Sequence, residues 1–183
     1  MHKDIKEILY TEDEIAVRVK EIGGALTDEY SKVVASGEKV IMISVLRGAA
    51  IFMADLARAT EVPMEMDYMA VSSYGSGVKS SGVVSIVKDL TSSIEGKHVV
   101  VVEDILDSGL TLQFLLETLQ ARNPASIEVV TLLRKLTREQ AHIECAHIGF
   151  ECPDEFIVGY GLDYAERYRN LPYIGVLKPE VYA

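Results

Sequence analysis

The sequence predicts an α/β fold built on a central, mainly parallel sheet flanked by helices, and three observations carry that expectation. Val99 to Val102 is a continuous apolar run, and Lys39 to Val45 and Ser126 to Leu133 are strongly apolar stretches, the pattern of strands buried on both faces. The first two each break into a short polar turn containing glycine and then into residues at helical spacing. Strand–turn–helix units of this kind assemble parallel sheets, and ligands bind beyond the carboxyl ends of their strands.

Composition narrows the rest. With 183 residues, no internal repeat and no linker-like tract, the chain reads as a single domain over 1–183 with enough length to bury a full core. The formal net charge of −10 argues against a general nucleic-acid surface, which needs a basic patch. It leaves room for a phosphorylated small ligand, because a metal ion or a nest of amides can supply positive potential locally. No apolar run approaches the roughly 18 residues of a membrane span. Met1 to Glu7 has no apolar stretch of the signal-peptide kind, so a cytoplasmic protein without membrane partners is expected. Cys145 and Cys152 are too few for a disulfide framework.

Taken in order, Thr11 followed by Glu14 is a capping-box signature. Ile15, Val19, Ile22 and Leu26 continue at helical spacing to about Ser36, with Gly37 as the stop. The strand Lys39–Val45 ends in Leu46-Arg47-Gly48, where amides and a cation could hold an anion, and Ile51 to Arg58 reads as a helix. Val62 to Val71 reads as a strand with Pro63 at its start. Ser72 to Gly82, rich in Ser and Gly, is either a plain hairpin loop or a mobile lid, before a strand resumes at Val83–Lys88.

The Val99 run breaks into Glu103 and Asp104, then Asp107-Ser108-Gly109, before Leu110, Phe114, Leu115 and Leu119 open a helix that Asn123-Pro124 ends. A Ser-Gly turn feeding a helix offers N–H groups and a hydroxyl to an anion, so Asp107 to Thr111 could grip a phosphate without a lysine. Glu103 and Asp104 suit sugar hydroxyls or Mg²⁺. Asp107 could be a helix cap and nothing more. The strand Ser126–Leu133 brings Arg134-Lys135 to the ligand side, and further strands are expected around Ile148, Phe156–Val158 and Tyr173–Val176. His142, Cys145, His147 and Cys152 have zinc-binding side chains at no common metal spacing, and His142–Ile148 could equally be an alternating strand. Asp163 to Arg169 reads as a turn or short helix.

The stretch Val99-Val-Val-Val-Glu-Asp-Ile-Leu-Asp-Ser-Gly-Leu-Thr111 resembles the phosphoribosyl-pyrophosphate signature of the type I phosphoribosyltransferases. Leu46-Arg47-Gly48, Ser73-Tyr74, Leu132-Leu-Arg-Lys135 and Phe156 to Asp163 extend the likeness, in order, to the hypoxanthine-guanine branch along nearly the whole chain. The resemblance implies the type I fold, with a small hood and a flexible lid loop beside the main sheet, and transfer of a 5-phosphoribosyl group to a 6-oxopurine with Mg²⁺. It implies that Glu103 and Asp104 hold the ribose hydroxyls directly or through Mg²⁺, with Ile105 beside them. Asp107 becomes the base near N7 of the purine, and Ser108, Gly109, Leu110 and Thr111 the 5′-phosphate loop. Leu46, Arg47 and Gly48 contact pyrophosphate on a strained backbone, and Ser73 and Tyr74 lie on the lid. Lys135 donates to the purine O6, Phe156 stacks on the base, and the Ile157 backbone reads its edge. Asp163 binds a second Mg²⁺ and Arg169 reaches the pyrophosphate. Arg47 stands where some members carry lysine, and Leu110 where others carry lysine or asparagine; both contacts are largely backbone in the family. A homodimer or homotetramer is the implied assembly. Two other readings are weighed: a phosphoribosyl-pyrophosphate-binding regulator, which would want a basic surface or added DNA-binding domain, and an enzyme preferring xanthine. A donor-only ammonium at Lys135 disfavours adenine.

Overall fold

The computed structural model describes residues 1–73, 84–135, 137 and 140–182. Thr11 caps the first helix as its spacing predicts: its Oγ1 accepts from the Glu14 N–H at 3.3 Å while Glu14 Oε2 accepts from the Thr11 N–H at 2.8 Å. This helix, α1, spans Glu12–Ala35 and follows a strand β1 at Ile5–Tyr10. Next come β2 (Val40–Leu46), α2 (Ala50–Ala59), β3 (Glu65–Ser73) and β4 (Val84–Lys88). β5 (His98–Leu106), α3 (Leu110–Gln120), β6 (Ser126–Arg134) and β7 (His147–Glu151) follow. The chain continues through β8 (Ile157–Val158) and β9 (Ile174–Leu177) to a single turn, α4 (Pro179–Tyr182).

The six-stranded sheet has the order β4-β3-β2-β5-β6-β7, parallel throughout except for the antiparallel edge strand β4. Alternation along its central strands sorts side chains between two layers. Val40, Met42, Val100, Val102, Val130 and Leu132 pack with α1 and α2, while Ile41, Ile43, Val99, Val101 and Val129 pack with α3. From neighbouring β2 and β5 the chain leaves in opposite directions, to β3 on one side and β6 on the other. The carboxyl ends of β2 and β5 therefore flank a topological switch point, where open α/β sheets form their crevice. A smaller antiparallel sheet, β1-β9-β8, occupies the place of the expected hood.

Several sequence expectations need correction. β1 was not foreseen. β5 does not break at Glu103 but runs on to Leu106, so both carboxylates stand on the strand itself. The third strand starts at Glu65 rather than Val62. On α3 the buried face is Leu112, Leu115 and Leu119; Leu110, two residues before Leu112 and so on another side of the helix, is exposed. No strand covers 142–146; burial alternates there from Ala141 to Ile143, but pairing begins only at His147. Among the described residues, no helix is long and apolar enough to cross a membrane. Tyr74 and most of the Ser72–Gly82 loop lie outside the described residues, and Ser73 ends β3.

Candidate active site

The switch point gathers most of the expected residues. On the β2 side, Leu46 and Arg47 are joined by a cis peptide, and Gly48 follows. On the β5 side stand Glu103, Asp104, Ile105 and, one residue past the strand, Asp107. Gly48 lies directly against Asp104: a Cβ there would sit 1.7 Å from Asp104 Oδ2. Gly161 packs on the other side of the same loop, where a Cβ would sit 2.0 Å from the Gly48 carbonyl oxygen. Three segments distant in sequence are thus wedged together, and only hydrogen fits at the two glycines.

Negative charge accumulates there without full compensation. Burial, and then the neighbouring Asp104 carboxylate, push the Glu103 pKa well above its ordinary value. Burial also raises Asp104 to about 6, although the Ile105 N–H donates to it at 2.9 Å and the Arg169 guanidinium pulls the other way. Glu103 Oε2 is shielded from solvent and has no hydrogen-bond partner among the described residues. An orphaned acceptor beside a second carboxylate is a demand for donors or a cation. Asp163 is itself engaged: Oδ1 lies 2.8 Å from Arg169 Nη2, and Oδ2 accepts the Glu166 N–H at 2.9 Å. Arg169 also donates to the Gly161 carbonyl at 2.8 Å, fixing the turn that presses on Gly48. Arg47 reaches Glu166 at 2.8 Å on the surface.

Beyond Leu106 the chain turns through Asp107 and Ser108 into α3. The helix N-cap is Gly109, in the left-handed region at φ 79°, and no side chain caps it. Asp107 is therefore not the helix cap, since the cap falls two residues later at a glycine. Ser108 Oγ accepts a long bond from the Leu110 N–H at 3.5 Å. α3 thus begins four residues beyond the carboxyl end of β5, and a helix N-terminus in that position is where backbone amides can receive an anion. Asp107 Oδ1 is shielded and unpartnered among the described residues.

The acceptor side is built from β6 and the small sheet. Lys135, only 7% exposed, is held by two bonds: its N–H donates to the Leu106 carbonyl at 2.9 Å, and its Nζ to the Glu155 carbonyl at 2.9 Å. The Cys152 thiol is pushed up to about 11 chiefly by burial, with the Lys135 charge opposing and the Asp107 charge adding to the shift. Phe156 follows Glu155, and its carbonyl accepts the Leu177 N–H at 2.8 Å. Its ring is stacked with Tyr182 at 4.9 Å and meets Tyr164 edge-on at 5.3 Å. Ile157 is buried and pairs with Val176 in the small sheet.

A Phosphoribosyl transferase domain model matches residues 13–165 of this sequence. The chain belongs to the phosphoribosyl transferase family. The chain is 53% identical to the hypoxanthine-guanine phosphoribosyltransferase of Bacillus subtilis, covering 100% of this chain and 98% of that one. It is 50% identical to the bifunctional protein TilS/HprT of Listeria monocytogenes, of which it spans only 28%. Among solved structures, a hypoxanthine phosphoribosyltransferase from Staphylococcus aureus superposes with a TM-score of 0.93 at 50% identity, covering 100% of this chain and 97% of that chain.

Within this phosphoribosyl transferase, sequence reasoning missed Gly161, Glu155, Tyr164 and Tyr182. The Gly159-Tyr160-Gly161 pair was a signal for close backbone approach; the aromatic neighbours of Phe156 carried none. The His142, Cys145, His147 and Cys152 group does not converge. Cys145 and Cys152 donate to separate carbonyls, those of Ile143 and Arg134, and His147 faces Glu29 at 3.5 Å. Among the described residues, no three His, Cys, Asp or Glu side chains are arranged to hold a metal ion.

Proposed function

We propose that this protein is a purine-salvage enzyme of the cytoplasm, transferring the 5-phosphoribosyl group of phosphoribosyl pyrophosphate to N9 of hypoxanthine and guanine. The products are IMP or GMP and pyrophosphate. The observation that carries the choice of acceptor is Lys135, a buried ammonium locked by the Glu155 carbonyl at the edge of the crevice. It can only donate, so it rewards the 6-oxo group of these bases and leaves the amino group of adenine unpaired.

In this reading the α3 amides from Ser108 to Thr111, aided by the helix dipole, hold the 5′-phosphate. Glu103 and Asp104 take the ribose hydroxyls, with the Ile105 amide fixing Asp104. Leu46, Arg47, Gly48 and Arg169 face the pyrophosphate. Phe156 stacks on the base while the Ile157 backbone meets its edge. The C1′–oxygen bond breaks with its electron pair leaving on pyrophosphate, N9 bonds to C1′, and Asp107 takes the proton from N7.

The orphaned Glu103 Oε2 beside Asp104 fits Mg²⁺, which binds through one or two carboxylates and completes its shell with substrate oxygens rather than a protein cage. Asp163 is the proposed contact for a second ion. When bound, Mg²⁺ supplies charge neutralisation on the leaving pyrophosphate. The proposed assembly is a homodimer or homotetramer, which sedimentation velocity reads directly.

The deciding experiment supplies hypoxanthine, guanine, xanthine and adenine separately with phosphoribosyl pyrophosphate and Mg²⁺, then measures nucleotide formed. Turnover of the first two, little with adenine, and loss of activity on chelation are expected. No product from any base sinks the enzyme reading; xanthine turned over fastest would replace the acceptor.

A further inference from the structure

We infer that Tyr182 is a positioning residue for the purine, acting by bracing the Phe156 ring against which the base stacks; this rests on the proposed role of Phe156. Phe156 and Tyr182 are each 36% exposed, yet their rings are stacked, 4.9 Å apart and 28° from parallel. Tyr164 closes the group, meeting Phe156 at 88° and Tyr182 at 65°. Each ring therefore has two aromatic neighbours, and Phe156 is braced from two segments at once.

The brace is itself anchored. Tyr182 ends the single turn α4, whose Val181 N–H donates to the Lys178 carbonyl at 3.0 Å and whose Val181 side chain packs beside Ile5, Val158, Tyr168 and Leu177. Lys178 in turn donates its N–H to the Asp4 carbonyl at 3.0 Å. The Phe156 backbone is already fixed by Leu177, so the remaining freedom lies in the ring torsions. A half-exposed ring left to rotate would have to be ordered each time a base arrives; a ring held in place has met that cost on folding. Stacking with offset and edge-on partners is the geometry that aromatic quadrupoles favour, so the arrangement is self-supporting without the ligand.

The test compares steady-state kinetics of Tyr182→Ala, Tyr182→Leu, Tyr182→Phe and Phe156→Ala, each checked by thermal unfolding. Tyr182→Ala should raise the KM for hypoxanthine about three- to tenfold. Its kcat and its KM for phosphoribosyl pyrophosphate should stay within about twofold of the parent. Tyr182→Leu, which keeps apolar bulk but cannot stack, should behave the same way even if the alanine variant folds poorly. Tyr182→Phe should restore the parent KM. Adding Tyr182→Ala to Phe156→Ala should cost nothing further, because the ring it braces is gone.

An unchanged hypoxanthine KM in the alanine and leucine variants overturns the inference, as does failure of phenylalanine to restore it. A lower KM also overturns it, since Tyr182 would then be competing with the purine for the same ring face. If Phe156→Ala itself leaves the KM unchanged, the base-stacking reading of Phe156 fails, and the inference with it. A raised KM in Phe156→Ala with none in the Tyr182 variants removes the inference alone.

Discussion

Gly48 and Asp104 meet across the switch point with no room for a methyl group between them: a Cβ on Gly48 would fall 1.7 Å from Asp104 Oδ2. Gly48→Ala must therefore displace the carboxylate. A carboxylate moved by an ångström costs catalysis on the order of a hundredfold, with a smaller effect on stability because only a side-chain end has to shift. Gly161→Ala is the contrasting case. Its Cβ would meet backbone, the Gly48 carbonyl, and its φ of 103° suits glycine alone. Thermal unfolding and kcat/KM measured together should show Gly48→Ala losing mainly activity and Gly161→Ala losing both.

Asp107→Asn should lower kcat by roughly 10²- to 10⁴-fold, the usual worth of a positioned base. Asp107 Oδ1 has no hydrogen-bond partner among the described residues, so asparagine breaks no bond at that oxygen, and thermal unfolding should show the fold retained. An asparagine variant with parental kcat would remove Asp107 from the chemistry.

Lys135→Met keeps most of the buried aliphatic stem and deletes the ammonium. The KM for hypoxanthine should rise about ten- to a hundredfold, in line with loss of a charge-assisted hydrogen bond. Discrimination against adenine should shrink alongside it. Competition assays with both bases check this, and intact discrimination would place recognition elsewhere.

Asp67, 6% exposed, links β3 to the loop between β4 and β5 by accepting from the Thr91 N–H and Oγ1, each at 2.7 Å, and from the Tyr68 N–H at 2.8 Å. Burial alone would raise its pKa, but these donors and Lys88 outweigh it and hold the carboxyl at about 2. A depressed folded-state value means the ionised group stabilises the fold above the unfolded value of 3.8, with the benefit lost as pH falls towards 2. Asp67→Asn should cost roughly 2 kcal/mol at neutral pH, and urea unfolding should find most of that gap closed near pH 2.

Glu128 behaves in the opposite sense. Burial raises it to about 7, and Glu29 adds to this against the Tyr30 hydroxyl, which donates to it. Here the folded state keeps a proton that the unfolded chain releases above its ordinary 4.5, so stability drains away as pH climbs from there to about 7 and then levels. Glu128→Gln removes the ionisation while keeping an acceptor for Tyr30. It should stabilise the protein by about 1 kcal/mol at pH 8, after allowance for solvent screening, and have little effect at pH 5.

Much of this architecture is legible in the chain because the central strands are buried on both faces and each leads into a helix of different period. The Thr11 capping box places the start of α1 to the residue, and the Val99–Val102 run places the start of β5 but not its end at Leu106. β1 escaped because Ile5-Lys-Glu-Ile-Leu-Tyr10 buries only Ile5 fully, and its partner strand lies some 170 residues on, at Ile5 opposite Leu177. The candidate residues from Glu103 to Thr111 were legible as a group because they are consecutive in sequence, across the end of β5 and the turn into α3. Contacts between segments that meet through space were less so: Tyr182 against Phe156 leaves no trace in local spacing, and the glycines of Gly159-Tyr160-Gly161 signal a close approach without naming Gly48 as the partner. The exposure of Leu110 shows a further limit, since an apolar residue in a helical run need not share the buried side that Leu112 marks.

The small sheet has a consequence for how the molecule breathes. The donor loop and Lys135 hang from a six-stranded core, whereas the Phe156 side of the acceptor wall hangs from β8, two residues long, and β9, closed by a contact spanning almost the entire chain. Such a unit opens at lower cost than the body it leans on. Amide exchange should then resolve two cooperative units, with Ile157, Val158 and Val176 exchanging well before Val100 and Val130. Purine entry and release would be the business of the looser unit, while the sugar-phosphate side stays folded throughout.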